Sequence, residues 1–323
     1  MRIKSPIKTV YNVLARRAPI EAQVIVTRRC NLSCGYCTEF DQSSAPVPLE
    51  DLKQWFDVLH RLRVVNISLL GGEPLLHPDL PEVVAYANRK SQVSITTNGY
   101  LLRRSLIHQL NDAGLSNLQI SIDALNKDQS GFIQKTLEQL WPKLELLKKE
   151  AEFDIHTNVV LCPETKDTFL ETAKRLHDLG CTVTVGLLHD GAGQVAIEGD
   201  AFADIWQSHF DNFAGYGGID TDYGLALIKG ERPDWHCRAG SRFLYIDEFG
   251  QVRYCSSQRD RWGKSILDLT EEDLTEQHNQ VKGCEKGCSI LCVFRDSQLD
   301  NAPLQTITGF AQTLTRGSIK LGK

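Results

Sequence analysis

The sequence predicts an α/β protein built on a parallel sheet, and three observations carry that prediction. Apolar strand-like runs alternate with amphipathic helical stretches through six periods of about 30 residues, up to position 188. Polar residues and glycines collect at the ends of those runs, where a parallel sheet keeps its working groups. Eight of the ten cysteines fall into two sets: Cys30, Cys34 and Cys37, and then Cys237, Cys255, Cys284, Cys288 and Cys292.

In chain order, residues 22–27 (AQVIVT) read as a buried strand that feeds the first cysteine set. A Ser- and Pro-containing linker leads to a helix over 49–61, with Leu52, Trp55, Phe56 and Leu59 at helical spacing. A strand over 65–70 runs into Gly71-Gly72-Glu73-Pro74. A helix over 80–90 and a strand over 93–97 follow, the strand ending at Thr97-Asn98-Gly99. Next come a helix over 102–113, closed by Gly114, and a strand over 118–122 ending at Ser121-Ile122-Asp123. A long helix is expected over 132–150, with Trp141-Pro142 as a bend or a restart. The rhythm closes with a strand over 154–161, a helix over 168–179 and a strand over 182–188. Right-handed crossovers follow, but periodicity does not choose between an open sheet and a barrel.

Residues 189–236 break the pattern with Gly191, Gly193, Gly199, Gly215, Gly217, Gly218 and Gly224. They read as a linker or lid holding one helix over 201–213. His189, Asp190, His209, Asp220, Asp222 and Tyr223 are polar there, with no spacing that sets them apart from a solvated surface. From Cys237 a hairpin is expected around the Asp247-Glu248-Phe249-Gly250 turn. An acidic helix over 269–281 and the last three cysteines follow. Cys162 and Cys181 stand alone and read as small core residues. The domain division is thus 1–20, 21–188, 189–236, 237–300 and 301–323.

Composition is that of an ordinary globular chain, with 41% hydrophobic and 24% charged residues. No run of eighteen apolar residues predicts a membrane span, and no signal-peptide pattern opens the chain, so a cytoplasmic location is expected. Ten cysteines in a reducing compartment point to metal or redox chemistry. The net charge of −5 is of the wrong sign for a nucleic-acid module. Both ends are basic, however: Arg2, Lys4, Lys8, Arg16 and Arg17 at the start, Arg316, Lys320 and Lys323 at the finish. Such ends suit contact with an anionic membrane face, or merely a solvated surface.

Three thiols within eight residues (C-N-L-S-C-G-Y-C) suit a cubic iron–sulfur cluster with one open iron better than a redox dithiol, with a zinc knuckle as the alternative. The C-x3-C-x2-C spacing, with Tyr36 before its last cysteine and Gly71-Gly72-Glu73-Pro74 after a second strand, resembles the signature of the radical S-adenosylmethionine (radical SAM) enzymes. The resemblance implies a partial (β/α)6 barrel of the TIM type and a 4Fe-4S cluster on Cys30, Cys34 and Cys37 that binds S-adenosylmethionine (SAM). It further implies a flavodoxin or ferredoxin-like electron donor, and hydrogen abstraction from a substrate by a 5′-deoxyadenosyl radical. Gly71, Gly72, Glu73 and Pro74 would meet the methionine end, with Glu73 on its amino group. Thr97 and Asn98 would lie near the cofactor, Ser121 and Asp123 near the ribose, Asn158 near the methionine or adenine, and Tyr36 by the adenine. Such strand-end groups also serve as turn and helix caps.

C-x12-G-x4-C from Cys237 to Cys255 resembles the opening of the SPASM or twitch extension. It implies one auxiliary 4Fe-4S cluster held by four of the five C-terminal cysteines, with structural zinc as the alternative. About 20 residues precede the first strand, which argues against a leader-peptide-binding domain. A small-molecule substrate is therefore expected, ahead of a lipid or a peptide. A non-catalytic iron–sulfur or zinc protein is the alternative of another class.

Overall fold

The computed structural model describes residues 2–3, 6–15, 17–127, 130–213, 219–306, 308 and 320–321. Lys4, Arg16, Gly215, Gly217, Gly218, Arg316 and Lys323 lie outside the described residues. The elements run β1 (Arg2–Ile3), α1 (Pro6–Ala15), β2 (Glu21–Thr27), α2 (Leu49–Arg61), β3 (Asn66–Gly71), α3 (Leu80–Ala87), β4 (Gln92–Thr97) and α4 (Arg104–Asp112). They continue with β5 (Asn117–Ser121), α5 (Leu137–Glu150), β6 (Asp154–Leu161), α6 (Phe169–Asp178), β7 (Thr182–Leu187), α7 (Asp200–Asn212) and α8 (Ile219–Ile228). The C-terminal part holds β8 (Phe243–Ile246), β9 (Gln251–Arg253), β10 (Lys264–Ser265), α9 (Glu271–Asn279), α10 (Leu291–Asn301) and β11 (Lys320–Leu321).

Nine strands form one sheet in the order β10-β9-β8-β2-β3-β4-β5-β6-β7, and β1 pairs with β11 apart from it. Strands β2 to β7 are parallel neighbours in chain order, the (β/α)6 arrangement of an unclosed barrel. Along each strand, alternate residues such as Val24, Ile67, Val93, Ile120, Val159 and Val183 are buried in one core with the helices. Period-two alternation turns the intervening residues to the barrel's inner face. That face is polar: Asn66 donates to Ser68 and Ser94, and Thr184 donates to Asn158 at 3.0 Å.

Four expectations are corrected. The long helix begins at Leu137 rather than 132, because residues before it run extended: Thr136 bridges Ala124, and the Asp123 N–H donates to the Lys135 carbonyl at 2.8 Å. Pro142 does not restart α5 as a separate element; it lies inside one continuous helix. The 189–236 region carries a second helix, α8, hidden in the sequence by Gly224, whose missing side chain makes room for Trp206; a Cβ there would lie 2.2 Å from the indole. The C-terminal part is more than a hairpin and one helix: α10 is added, and β8 pairs in parallel with β2, so the hairpin extends the main sheet.

Candidate active site

The first cysteine loop leaves β2 and is strapped to the Gly71-Gly72 turn. The Gly72 N–H donates to the Thr27 carbonyl at 2.8 Å, and the Glu73 N–H to the Arg29 carbonyl at 2.9 Å. A Cβ on Gly71, whose φ is +133°, would stand 2.0 Å from the Thr27 oxygen; one on Gly72 would stand 2.3 Å from that of Arg28. Both glycines are required by this close backbone approach. Pro74 starts a short 3-10 turn that Glu73 caps, accepting from the Leu75 N–H at 2.9 Å.

Glu73, Thr97 and Asn98 form one buried knot. The Glu73 side chain has no solvent exposure. Its Oε1 accepts from the Thr97 hydroxyl at 2.7 Å and its Oε2 from the Asn98 N–H at 2.8 Å. Burial raises the Glu73 pKa, opposed by these donors. Asn98 turns its Nδ2 to Asn31 Oδ1 at 2.8 Å and towards the Cys30 sulfur at 3.8 Å. The carboxylate thereby ties the second, third and fourth strand ends to the cysteine loop.

A second knot lies on the loop's other side. Tyr36 donates from Oη to Asp123 Oδ2 at 2.5 Å, and Lys135 Nζ lies 3.3 Å from the same oxygen. The Lys135 ammonium also stands 4.8 Å from the centre of the Tyr36 ring. Asp123 is fully buried, and its Oδ1 has no hydrogen-bond partner among the described residues. Burial first, then the Asp123 charge, pushes the Tyr36 phenol up. Gln134 and Ser33 exchange hydrogen bonds at 3.0 and 3.1 Å, and Gly35 N–H donates to the Phe132 carbonyl at 3.1 Å.

Ser121 and Asn158 are register partners on β5 and β6, and both keep partial exposure on the inner face. Deeper in, the His156 ring lies between Asn117 Oδ1 at 2.9 Å and Gln119 Oε1 at 2.8 Å. Of the remaining polar candidates, His209, Asp220, Asp190 and Tyr223 serve structure. His209 is buried among Phe169, Phe210 and Phe213. Asp220 pairs with Arg295, Asp190 caps its own turn, and Tyr223 stacks on Phe294 at 3.6 Å. Cys162 and Cys181 are core residues, as expected; Cys162 packs in the cluster that includes Tyr36 and Phe132.

The C-terminal cysteines meet against the same sheet. Cys237 and Cys255 are buried with Ile25, Tyr245 and Tyr254. The Cys284–Cys288 loop is braced by Gln194, which donates to the Cys284 carbonyl at 3.0 Å, and by Tyr223, which donates to that of Cys288 at 2.7 Å. Burial raises the thiols of Cys34 and Cys255 to about 11 and that of Cys288 to about 12. Cys237, Cys255, Cys284 and Cys288 lie within reach of one another's charge. Cys292 answers most to Glu21, Asp296 and Arg295 and then to Cys255, and its sulfur accepts from Gln23 Nε2 at 3.7 Å. Arg28 joins the two cysteine regions: it bonds Glu39 at 3.0 Å, Glu248 at 2.9 Å and the Tyr245 hydroxyl at 3.2 Å.

Sequence reasoning missed Arg28, Gln134 and Lys135. A basic residue at a strand end was a signal for the first; the other two were hidden by assigning residues 132–136 to a helix. Among the described residues no His, Cys, Asp or Glu group of three is drawn together as a closed metal cage. The donor set fits the cluster and SAM nonetheless: three thiols on one loop, an orphaned buried oxygen on Asp123, and a glycine turn against which a side chain would clash.

Residues 24–188 match the family profile described as the Radical SAM superfamily. The chain is 26% identical over 285 residues to the S-adenosylmethionine-dependent nucleotide dehydratase RSAD2 of Oncorhynchus mykiss, covering 83% of this chain and 79% of that one. It is 25% identical over 206 residues to the GTP 3',8-cyclase of Aquifex aeolicus, covering 58% of this chain and 64% of the relative. The chain thus spans less than two thirds of that cyclase's length. Among solved structures, Streptococcus suis SuiB bound to precursor peptide SuiA superposes with a TM-score of 0.64 at 15% identity, over 85% of this chain and 68% of that one. Native anSMEcpe with bound AdoMet and Cp18Cys peptide gives 0.60 at 20% identity, over 83% of this chain and 84% of that one. At these identities the likeness is one of fold.

Proposed function

The chain belongs to the radical SAM superfamily, and from that premise we propose that it abstracts hydrogen from a small polar metabolite, a nucleoside derivative foremost, held inside the barrel. The single observation behind the substrate class is the inner face. Ser68, Ser94, Gln119, Ser121, Asn158 and Thr184 line it with uncharged donors and acceptors suited to the hydroxyl and amide groups of a polar small molecule. The names of the nucleotide-acting relatives support the same reading.

Cys30, Cys34 and Cys37 would hold the 4Fe-4S cluster, and Asp123, Ser121 and Asn158 would face SAM. Bound, the cluster and SAM supply a 5′-deoxyadenosyl radical for C–H abstraction. The chain's own part is positional. Glu73 fixes the Thr97 hydroxyl and the Asn98 backbone beneath the cofactor rather than giving both oxygens to it, and Gly71-Gly72 hold the loop against β3. In this reading Cys237, Cys255, Cys284 and Cys288 carry one auxiliary cluster, and Cys292 stays a thiol facing Gln23. A flavodoxin or ferredoxin-like protein is the proposed electron donor.

Anaerobic reconstitution with iron and sulfide counting, followed by an assay for 5′-deoxyadenosine, tests this. About eight irons and SAM cleavage are expected, falling to about four irons and no cleavage after joint Cys30→Ala, Cys34→Ala and Cys37→Ala substitution. Cys255→Ala is expected to keep cleavage and lose substrate turnover, whereas Cys292→Ala should keep all the iron. Stoichiometric zinc in the second set would defeat the auxiliary-cluster reading.

A specific observation favours a second reading, contact with an anionic membrane face that would bring a lipid within reach. On α1, Val10, Tyr11 and Leu14 are 55%, 58% and 52% exposed, in a segment with five basic residues and no acid. No helix among the described residues is long and apolar enough to cross a membrane. Sedimentation with phosphatidylglycerol vesicles, but not phosphatidylcholine vesicles, is expected, and Val10→Ser with Leu14→Ser should reduce it. Equal recovery with and without vesicles ends this reading.

A further inference from the structure

Lys135 is brought to the first cysteine loop by the extended segment that precedes α5, the same segment that clamps the loop through Phe132 and Gln134. Its side chain is 11% exposed. A buried ammonium needs a reason to be charged. Asp123 supplies one at 3.3 Å, yet Tyr36 already donates to the same Oδ2 at 2.5 Å. The ammonium's other neighbour, 4.8 Å from its ring centre, is that tyrosine, which stands between Cys34 and Cys37 in the chain. Tyr36 therefore brings both ends of the pair, cation and carboxylate, to the loop. Lys135 and Asp123 act on Cys34 in opposite directions, and Lys135 acts on Cys37 together with Arg28.

We propose that Lys135 is a positioning residue for the electron: its ammonium stabilises the reduced form of the cluster carried by Cys30, Cys34 and Cys37, and Asp123 limits that stabilisation. The inference rests on the reading of those three cysteines as cluster ligands. Each added electron makes a thiolate-bound cluster more negative, and a nearby buried cation favours the more negative state with little screening. Reduction is the step that must precede SAM cleavage, so a cation built into the clamp eases the entry of the electron. Removing the carboxylate has the opposite sign to removing the ammonium, and this separates an electrostatic role from anchoring. An anchor alone would change iron retention without changing the potential.

The test is an EPR-monitored redox titration of the full chain, reconstituted anaerobically without SAM, with iron counted in every sample. Lys135→Met is expected to lower the reduced-to-oxidised ratio at fixed potential about tenfold, or about 59 mV for a one-electron couple. Lys135→Arg keeps the charge and should stay near the parent protein, and Asp123→Asn should shift the ratio upward. Lys135→Met at full iron content with an unchanged ratio overturns the proposal. Should Lys135→Met hold no iron, Asp123→Asn decides alone, and an unchanged or lowered ratio there overturns it. If the parent protein itself binds no iron at Cys30, Cys34 and Cys37, it is the cluster reading that has failed, and the iron count distinguishes the two.

Discussion

Gly72→Ala is expected to leave the chain folded and to cut SAM cleavage at least tenfold, with iron lost from the first cysteine set. The added carbon would stand 2.3 Å from the Arg28 carbonyl oxygen and 2.4 Å from that of Arg29, where real Cβ contacts stay beyond 3.0 Å. Both obstacles are backbone, so no side chain can swing aside. The displacement passes directly into Cys30, one residue further on, whose own N–H is fixed to the Asp41 carbonyl at 2.9 Å. Catalytic geometry loses on the order of a hundredfold for a misplacement of about 1 Å. Gly191→Ala is the control: nothing lies within 4 Å of its Cβ, and a surface substitution of that kind stays within about 0.5 kcal/mol. Full iron and full cleavage in Gly72→Ala would mean that the loop adapts, and that the Gly71-Gly72 turn does not set its position.

How much of this was legible beforehand depended on whether the signal was local. Strands such as residues 154–161 and helices such as 49–61 were readable because their alternation is carried by their own residues. The cysteine spacing and the Gly-Gly-Glu-Pro turn were readable for the same reason. Residues 132–136 were misread because Ile133 and Leu137 mimic helical spacing, while the interactions that hold the segment extended come from Ala124 and the cysteine loop. The α8 helix was missed because Gly224 looks like a breaker until Trp206 is seen to need the space. No local pattern says that Glu73 spends both oxygens on Thr97, Leu75 and Asn98. Long-range pairing settles these details, and a single sequence does not display it.

Long-range pairing also governs the second large effect. Arg242→Met is expected to cost about 3–5 kcal/mol, the range for breaking a buried ion pair. Arg242 is 2% exposed; its Nε and Nη2 grip Asp300 of α10 at 2.7 and 2.8 Å, while Nη1 donates to the carbonyls of Val13 at 2.8 Å and Ala18 at 3.1 Å. One guanidinium thus joins α1, the approach to β2, the residue before β8, and the helix that carries Cys292. Arg242→Lys should recover only part of the loss, since an ammonium lacks the fork that meets both carboxylate oxygens. Burial raises the Asp300 pKa, but Arg242 foremost, with His278 and Arg238, more than offsets this and holds it below its ordinary value. The folded-state pKa is therefore the lower one, and the pair's contribution is present above the unfolded carboxylate range and fades as pH falls below about 4. Urea unfolding checks this at pH 7 and again in acid, where the gap between Arg242→Met and the parent protein should narrow. The shape of the transition carries a further message. If the C-terminal cysteine unit were an appendage on the barrel, losing Arg242 would release it as an early, separate phase. Because β8 is hydrogen-bonded to β2 within one sheet, a single transition at a lower midpoint with an unchanged slope is expected instead, and both cysteine sets should lose their iron together along it.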